Sequence, residues 1–222
     1  MTNSALIWVG RIWLGLILFF LYAPIIVMAF MSFNASPYYQ LPFEFSLTWY
    51  DQLGRNTEIL QAAIRSVLIA LATTVIATIL GTAAALALFR FEFRGKRVLQ
   101  LMLFPPIAIP WLITGTAMLI FFYGVGLGRG TPSVLIGHVA LALPYVIVVV
   151  GARLATFDRT LEEAARSMGA DGWTVTRRVT LPWIASGIVA GALFAFAVSF
   201  DQFVVSYFLS EPGDSTLPVL IY

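Results

Sequence analysis

Residues 66–89 read SVLIALATTVIATILGTAAALALF, a run with no charged side chain. As a helix rising about 1.5 Å per residue, such a run covers the roughly 30 Å of hydrocarbon in a bilayer, for which about 20 residues suffice. The composition of the whole chain agrees. Of 222 residues, 60% are hydrophobic and 11% charged, and mean hydropathy is +0.91. Soluble domains carry about 25% charged residues, so this chain cannot solvate a globular surface. Disorder is excluded by the high hydrophobicity. A net charge of +2 is too small to argue for nucleic acid. With no cysteine and one histidine, disulfides, thiolate chemistry and Cys- or His-rich metal sites are ruled out. No cofactor pattern is present.

Working outward, further apolar spans fall at about 12–33, 98–123, 134–152 and 183–208. The 98–123 run is interrupted by Pro105, Pro106 and Pro110, whose freed carbonyls must be buried or line a cavity. The predicted fold is an all-α, polytopic transmembrane bundle forming one domain over 1–222. Lys and Arg set its orientation. Arg11, four basic residues in 90–97 and five in 153–182 lie on one side, against Arg55, Arg65 and Arg129 on the other. This puts the N-terminus and the 153–182 segment in the cytoplasm. Five spans leave the C-terminus outside, and a sixth span is expected beyond Tyr222. Ala, Gly and Thr dominate 70–87 and 185–197. Such small residues let helix backbones approach closely in lipid.

The 153–182 segment has helical logic. Leu161, Ala164, Ala165 and Met168 share one apolar face by i, i+3, i+4, i+7 spacing. Thr160 and Glu163 have capping-box spacing, Glu162 and Arg166 form an i, i+4 pair on the solvated side, and Gly169 suits a left-handed helix end. A second short helix is expected from Asp171. Pro182 fits the first turn of the last span. From the residues alone, this amphipathic helix suits membrane lipid or a protein partner equally well.

Glu163-Ala164-Ala165, three residues, Gly169, nine residues, Val179, one residue and Leu181-Pro182 resemble the EAA loop of ABC importer permeases, with Val179 in place of isoleucine. YAPIIVMAFMSFNAS (22–36), FRFEFRGK (89–96), FDRTLEEAARSMGA (157–170) and SFDQFVVSYFLSEPGDSTLPVLIY (199–222) are similar to the second permease subunit of spermidine/putrescine importers. The resemblance implies six spans, a place in the bacterial inner membrane, and a non-catalytic pore-forming role. It also implies partners: a dimer of cytoplasmic ATP-binding subunits, a second permease and an external solute-binding protein. The ATPase contact would fall on Glu163, Ala164, Ala165 and Gly169, with Leu181 and Pro182 completing the coupling set. The chain has no G-x-x-x-x-G-K-[ST] loop, so ATP must bind elsewhere.

Asp201 is the one charge in 183–208. An intramembrane carboxylate is costly and commonly faces a cavity or a partner. Phe200, Phe203 and Tyr207 flank it, and aromatic faces attract ammonium groups. The group suits a polyamine; a wetted or capping Asp is the plainer reading. His138 reads as a hydrogen-bonded structural residue, and Arg90, Arg94, Lys96 and Arg97 as positive-inside anchors. Competing functions are a permease for ferric iron, an opine-like solute or an anion, an ion-coupled transporter using Asp201 as its proton site, and a membrane enzyme or scaffold. The last lacks a nucleophile–base pair or metal cluster.

Overall fold

Helices account for nearly all regular structure in the computed structural model, which describes residues 3–38 and 40–222. Among the described residues there is no strand, only an isolated bridge between Asn34 and Phe45. The chain divides into two units, Met1–Leu60 and Gln61–Tyr222.

In the first unit, α1 (Asn3–Met31) is apolar from Leu6 onward and runs through Arg11, starting earlier than the uncharged run predicts. A turn follows, organised by Asn34, which is 1% exposed. Its Nδ2 donates to the Gln40 carbonyl at 2.7 Å, and its Oδ1 accepts the Glu44 N–H at 3.0 Å. Phe30 stacks on Phe43 and Phe33 on Tyr50. Helix α2 spans Thr48–Arg55. Asn56 Oδ1 then accepts the N–H groups of Glu58 and Ile59, each at 3.1 Å. That side-chain cap starts α3 (Thr57–Arg90) well before residue 66.

In the second unit, the predicted 98–123 span is not one helix. It resolves into α4 (Lys96–Leu103), α5 (Pro105–Ala108) and α6 (Trp111–Gly124). Pro105 and Pro106 occupy the first turn of α5, where their missing N–H groups are tolerated. Ile109 precedes Pro110 and is held extended, at ψ 133°. Helix α7 (Thr131–Ala155) is unbroken despite Pro144. Then come α8 (Thr160–Ser167) and α9 (Gly172–Val175). A π-helical turn (Thr176–Thr180) leads into α10 (Leu181–Phe200), so residues 172–200 form one helical run. Pro182 lies in the first turn of α10, as its position in the sequence suggests, but the turn ahead of it is helical too. The wider turn ahead of it relieves the clash a proline ring makes with the carbonyl four residues back. Short helices α11 (Val204–Leu209) and α12 (Leu217–Ile221) end the described chain. Among the described residues, four helical runs are long and apolar enough to cross a membrane: α1, α3, α7 and 172–200.

Helix α7 is the axis of the second unit. Its Leu141, Val146, Ile147 and Val150 are each no more than 1% exposed. Val146 is flanked by Gly81 of α3 and Gly191 of α10. A Cβ on Gly81 would lie 2.7 Å from the Val146 side chain, and one on Gly191 3.3 Å away. Ala77, Ala85 and Ala195 belong to the same buried cluster. The small residues predicted for 70–87 and 185–197 are therefore what permits these close approaches.

Replacing Gly81 by Leu is expected to cost about 1–3 kcal/mol through overpacking. Gly10 of α1 has nothing within 4 Å of its Cβ position, so Gly10→Leu serves as a control. Thermal unfolding in detergent should show a lower midpoint for Gly81→Leu alone. Equal midpoints would contradict the close approach.

Candidate functional site

The 153–182 segment folds as predicted in outline and differently in its connections. Asp158 Oδ1 accepts the Thr160 N–H at 2.9 Å and starts α8. The predicted capping box with Thr160 as cap does not form, because the helix begins with Arg159 and Thr160 already turned in. These local bonds to Thr160 hold the exposed Asp158 carboxyl below its ordinary range. The far end is a Schellman motif. Gly169 N–H donates to the Arg166 carbonyl at 2.9 Å and Ala170 N–H to that of Ala165 at 3.1 Å, with Gly169 at φ +89°. Asp171 Oδ1 accepts the Thr174 N–H at 3.3 Å and opens α9, which lowers its pKa.

The faces of α8 differ from those expected. Only Glu162 and Ala165 are buried. Leu161, Glu163, Ala164 and Met168 are exposed, Met168 at 83%. Gly169 is exposed, and nothing lies within 4 Å of where its Cβ would be. The predicted apolar face thus loses Ala165 to the interior and presents Leu161, Ala164 and Met168 outward. Pro182 is exposed, whereas Leu181 packs half-buried against the core around Val146. These two residues do not share the free face of α8.

Glu162 is the main departure. It is not half of a solvated pair with Arg166. It turns inward, 6% exposed, and accepts hydrogen bonds from Arg90 Nη1 and from the Thr180 hydroxyl. Burial pushes its carboxyl up. The two hydrogen bonds and the Arg90 charge outweigh that effect and hold it below the usual range, with Arg166 adding a weaker attraction. Arg90 is the last residue of α3, and its guanidinium also lies 4.9 Å from the centre of the Phe157 ring. Phe157 meets Trp183 edge to face at 5.8 Å, and Arg153 lies 5.2 Å over Trp183. A cleft of about 260 Å³ opens beside the pair, lined by Arg90, Phe91, Arg159, Glu162, Glu163 and Arg166. By sequence position alone Arg90 reads as an anchor and Glu162 as solvated. The helical register of Glu162 beside Ala165 (i, i+3) was the available signal.

A second polar locus lies where the predicted 183–208 span breaks. Helix α10 ends at Phe200, Asp201 is its C-cap, and α11 begins at Val204. Asp201 is thus at a helix end and exposed, not inside a continuous span, and it forms no ion pair among the described residues. The negative end of the α10 dipole adds to its charge rather than offsetting it. Phe203 and Tyr207 come together, with ring centres 5.7 Å apart, and Tyr222 lies 5.3 Å from Phe203. Phe200 instead stacks on Phe196. His138, from α7, spans the break: Nδ1 is 2.8 Å from Ser199 Oγ and Nε2 is 2.9 Å from Ser206 Oγ. It is 1% exposed, in keeping with the structural role read from sequence. Gln202, also 1% exposed, accepts the Val205 N–H through Oε1 at 3.4 Å.

Residues 77–222 match the family of binding-protein-dependent transport system inner membrane components. The chain belongs to this family and is a permease subunit of an ABC importer. The spermidine/putrescine transport system permease protein PotC of Haemophilus influenzae is 39% identical over 203 residues, covering 91% of this chain and 79% of that protein. The putrescine transport system permease protein PotI of Escherichia coli is 37% identical over 210 residues, covering 91% and 75%. A crystal structure of a bacterial ABC transporter that imports the acidic polysaccharide alginate aligns over all of this chain and 80% of the matched one. Its TM-score is 0.75 at 18% identity, which establishes the shared fold. Permeases of this family work in the inner membrane, and the transport system implies an ATPase, a second permease and a binding protein.

His138→Ala removes both bonds across the α10–α11 break and leaves Ser199 and Ser206 without this partner. The expected loss is about 1–3 kcal/mol, read as a lower unfolding midpoint in detergent. An unchanged midpoint would mean that the break is held by packing alone.

Proposed function

We propose that this permease forms half of the pathway of a polyamine importer, taking putrescine or spermidine from an external binding protein. ATP is hydrolysed by a separate subunit pair, and the chain itself catalyses no reaction. Its N-terminus and α8 face the cytoplasm, as the Lys and Arg distribution argues. The exposed face of α8 docks the ATPase through Leu161, Glu163, Ala164, Met168 and Gly169. The family pattern and the outward turn of these residues support that assignment.

The observation that carries the cargo assignment is Asp201, a carboxylate on the negative end of α10 without an ion-pair partner among the described residues. Helix C-terminal ends and acidic groups together favour a cation. Phe203 and Tyr207, two and six positions further on and paired with each other, offer aromatic faces to ammonium groups and methylenes. The names of the similar permeases point to the same cargo. An anion would be repelled at this position. Nucleotide-driven closure of the ATPase pair displaces α8 and biases the spans between inward-facing and outward-facing arrangements.

In nanodiscs holding the complete complex and its binding protein, putrescine or spermidine should stimulate ATP hydrolysis while unrelated solutes do not. Stimulation by another solute and by neither polyamine would overturn the cargo assignment. Asp201→Asn should reduce polyamine uptake by about tenfold or more, the scale of a lost charge-assisted contact, with the subunits still co-purifying. Unaltered uptake would remove Asp201 from the pathway. Met168→Glu places a charge on the free face of α8 and should release the ATPase during purification. A retained ATPase would contradict docking on that face.

A further inference from the structure

Helix α8 is attached to the rest of its unit by very little. Of its residues only Glu162 and Ala165 are buried. Ala165 offers one methyl group, and apolar contact has no direction. Glu162 is bonded to Arg90, 72 positions away at the end of the long helix α3, and to Thr180, 18 positions away at the threshold of α10. One carboxylate therefore joins the docking helix to two membrane-spanning helices. Its partners are fixed in turn: Arg90 lies on the Phe157 ring, and Thr180 is 1% exposed. The side chains of the ion pair are only 16% and 7% exposed, so neither solvent nor salt screens it as at a surface.

Stability alone gives little reason for such a pair. Apolar replacement of both partners of a buried ion pair is often neutral or stabilising, because desolvation offsets the attraction. What a hydrogen-bonded pair adds is direction: it resists separation and holds register where a methyl contact slides.

We propose that the Glu162–Arg90 bridge, seconded by Thr180, is the strut that transmits displacement of α8 to α3 and α10. Glu162 and Arg90 are positioning residues: they touch neither cargo nor nucleotide. The strut rests on the reading that α8 docks the ATPase, and it adds that the docked surface and the transmitting group are different residues on opposite faces of one short helix. Breaking the strut leaves the ATPase bound and turning over, but disconnects it from the spans.

The experiment uses the complete complex in nanodiscs. This chain has no cysteine, so a spin label on Leu68→Cys, exposed on α3, marks that helix at one position. Three quantities are measured: ATPase subunits retained, ATP hydrolysed, and the ATP-driven shift in the label's spectrum. No cargo is needed, so failure of the polyamine assignment does not affect the outcome. Glu162→Gln and Arg90→Gln should retain the ATPase and its hydrolysis while the ATP-driven shift in the label's equilibrium falls on the order of tenfold, the usual size of coupling between sites. A purely structural role would lower the amount of complex without changing the shift in what survives. An undiminished shift in both variants overturns the strut. Loss of the ATPase from both, with normal shift per retained complex, also overturns it. Should either variant fail to accumulate, Arg90→Lys, which keeps the charge and loses the fork, decides the matter. A reduced shift with the ATPase bound supports the strut, and a normal shift refutes it. Met168→Glu, measured in parallel, tests docking separately.

Discussion

Close approach of helix backbones around α7 is the constraint on which the second unit depends. In hydrocarbon there is no water to drive apolar association, so packing must do it, and packing improves as backbones come nearer. Val146 sits between Gly81 and Gly191, and in both places a Cβ would crowd it. The alanines of the same cluster continue the fit along α3 and α10. The long apolar helices thereby become a fixed frame, and the polar side chains that join one helix to another gather near helix ends and breaks.

Two such places matter. At one, α10 stops at Phe200 and α11 resumes at Val204, with His138 hydrogen-bonded to a serine on each side. The break exposes Asp201 at a negative helix end, while the histidine holds the two pieces in register. At the other, α3 ends at Arg90 and meets Glu162 from α8. In each case a buried polar side chain, His138 or Glu162, bonds a partner from a different helix. A permease must change shape without dissolving its core. Concentrating directional bonds at helix ends lets packed interiors move as bodies.

Much of this was legible in the residues. Uncharged runs announced the long helices, the small-residue stretches announced tight packing, and the spacing from Glu163 to Pro182 announced the family. Gly169 was assigned a left-handed helix end and has φ +89°. The failures share a cause. Glu162 looked solvated because its neighbour Arg166 is a suitable i+4 partner, and sequence spacing ranks local partners first. The 98–123 run looked like one interrupted span, yet its prolines divide it into three helices. The 183–208 run looked continuous through Asp201 because apolar residues lie on both sides, and hydropathy does not register where a helix stops.

By itself, then, the sequence determined that this chain lives in lipid, which stretches form helices, and that one of its loops belongs to ABC importer permeases. Those properties are set by composition and by neighbours a few residues apart. Only the tertiary structure decided that Glu162 pairs with Arg90 across 72 positions, that Ala165 turns inward while Met168 turns out, and that His138 bridges Ser199 and Ser206. Helical periodicity states which residues share a face. It does not state what that face meets, because the partner is chosen by how the helices pack.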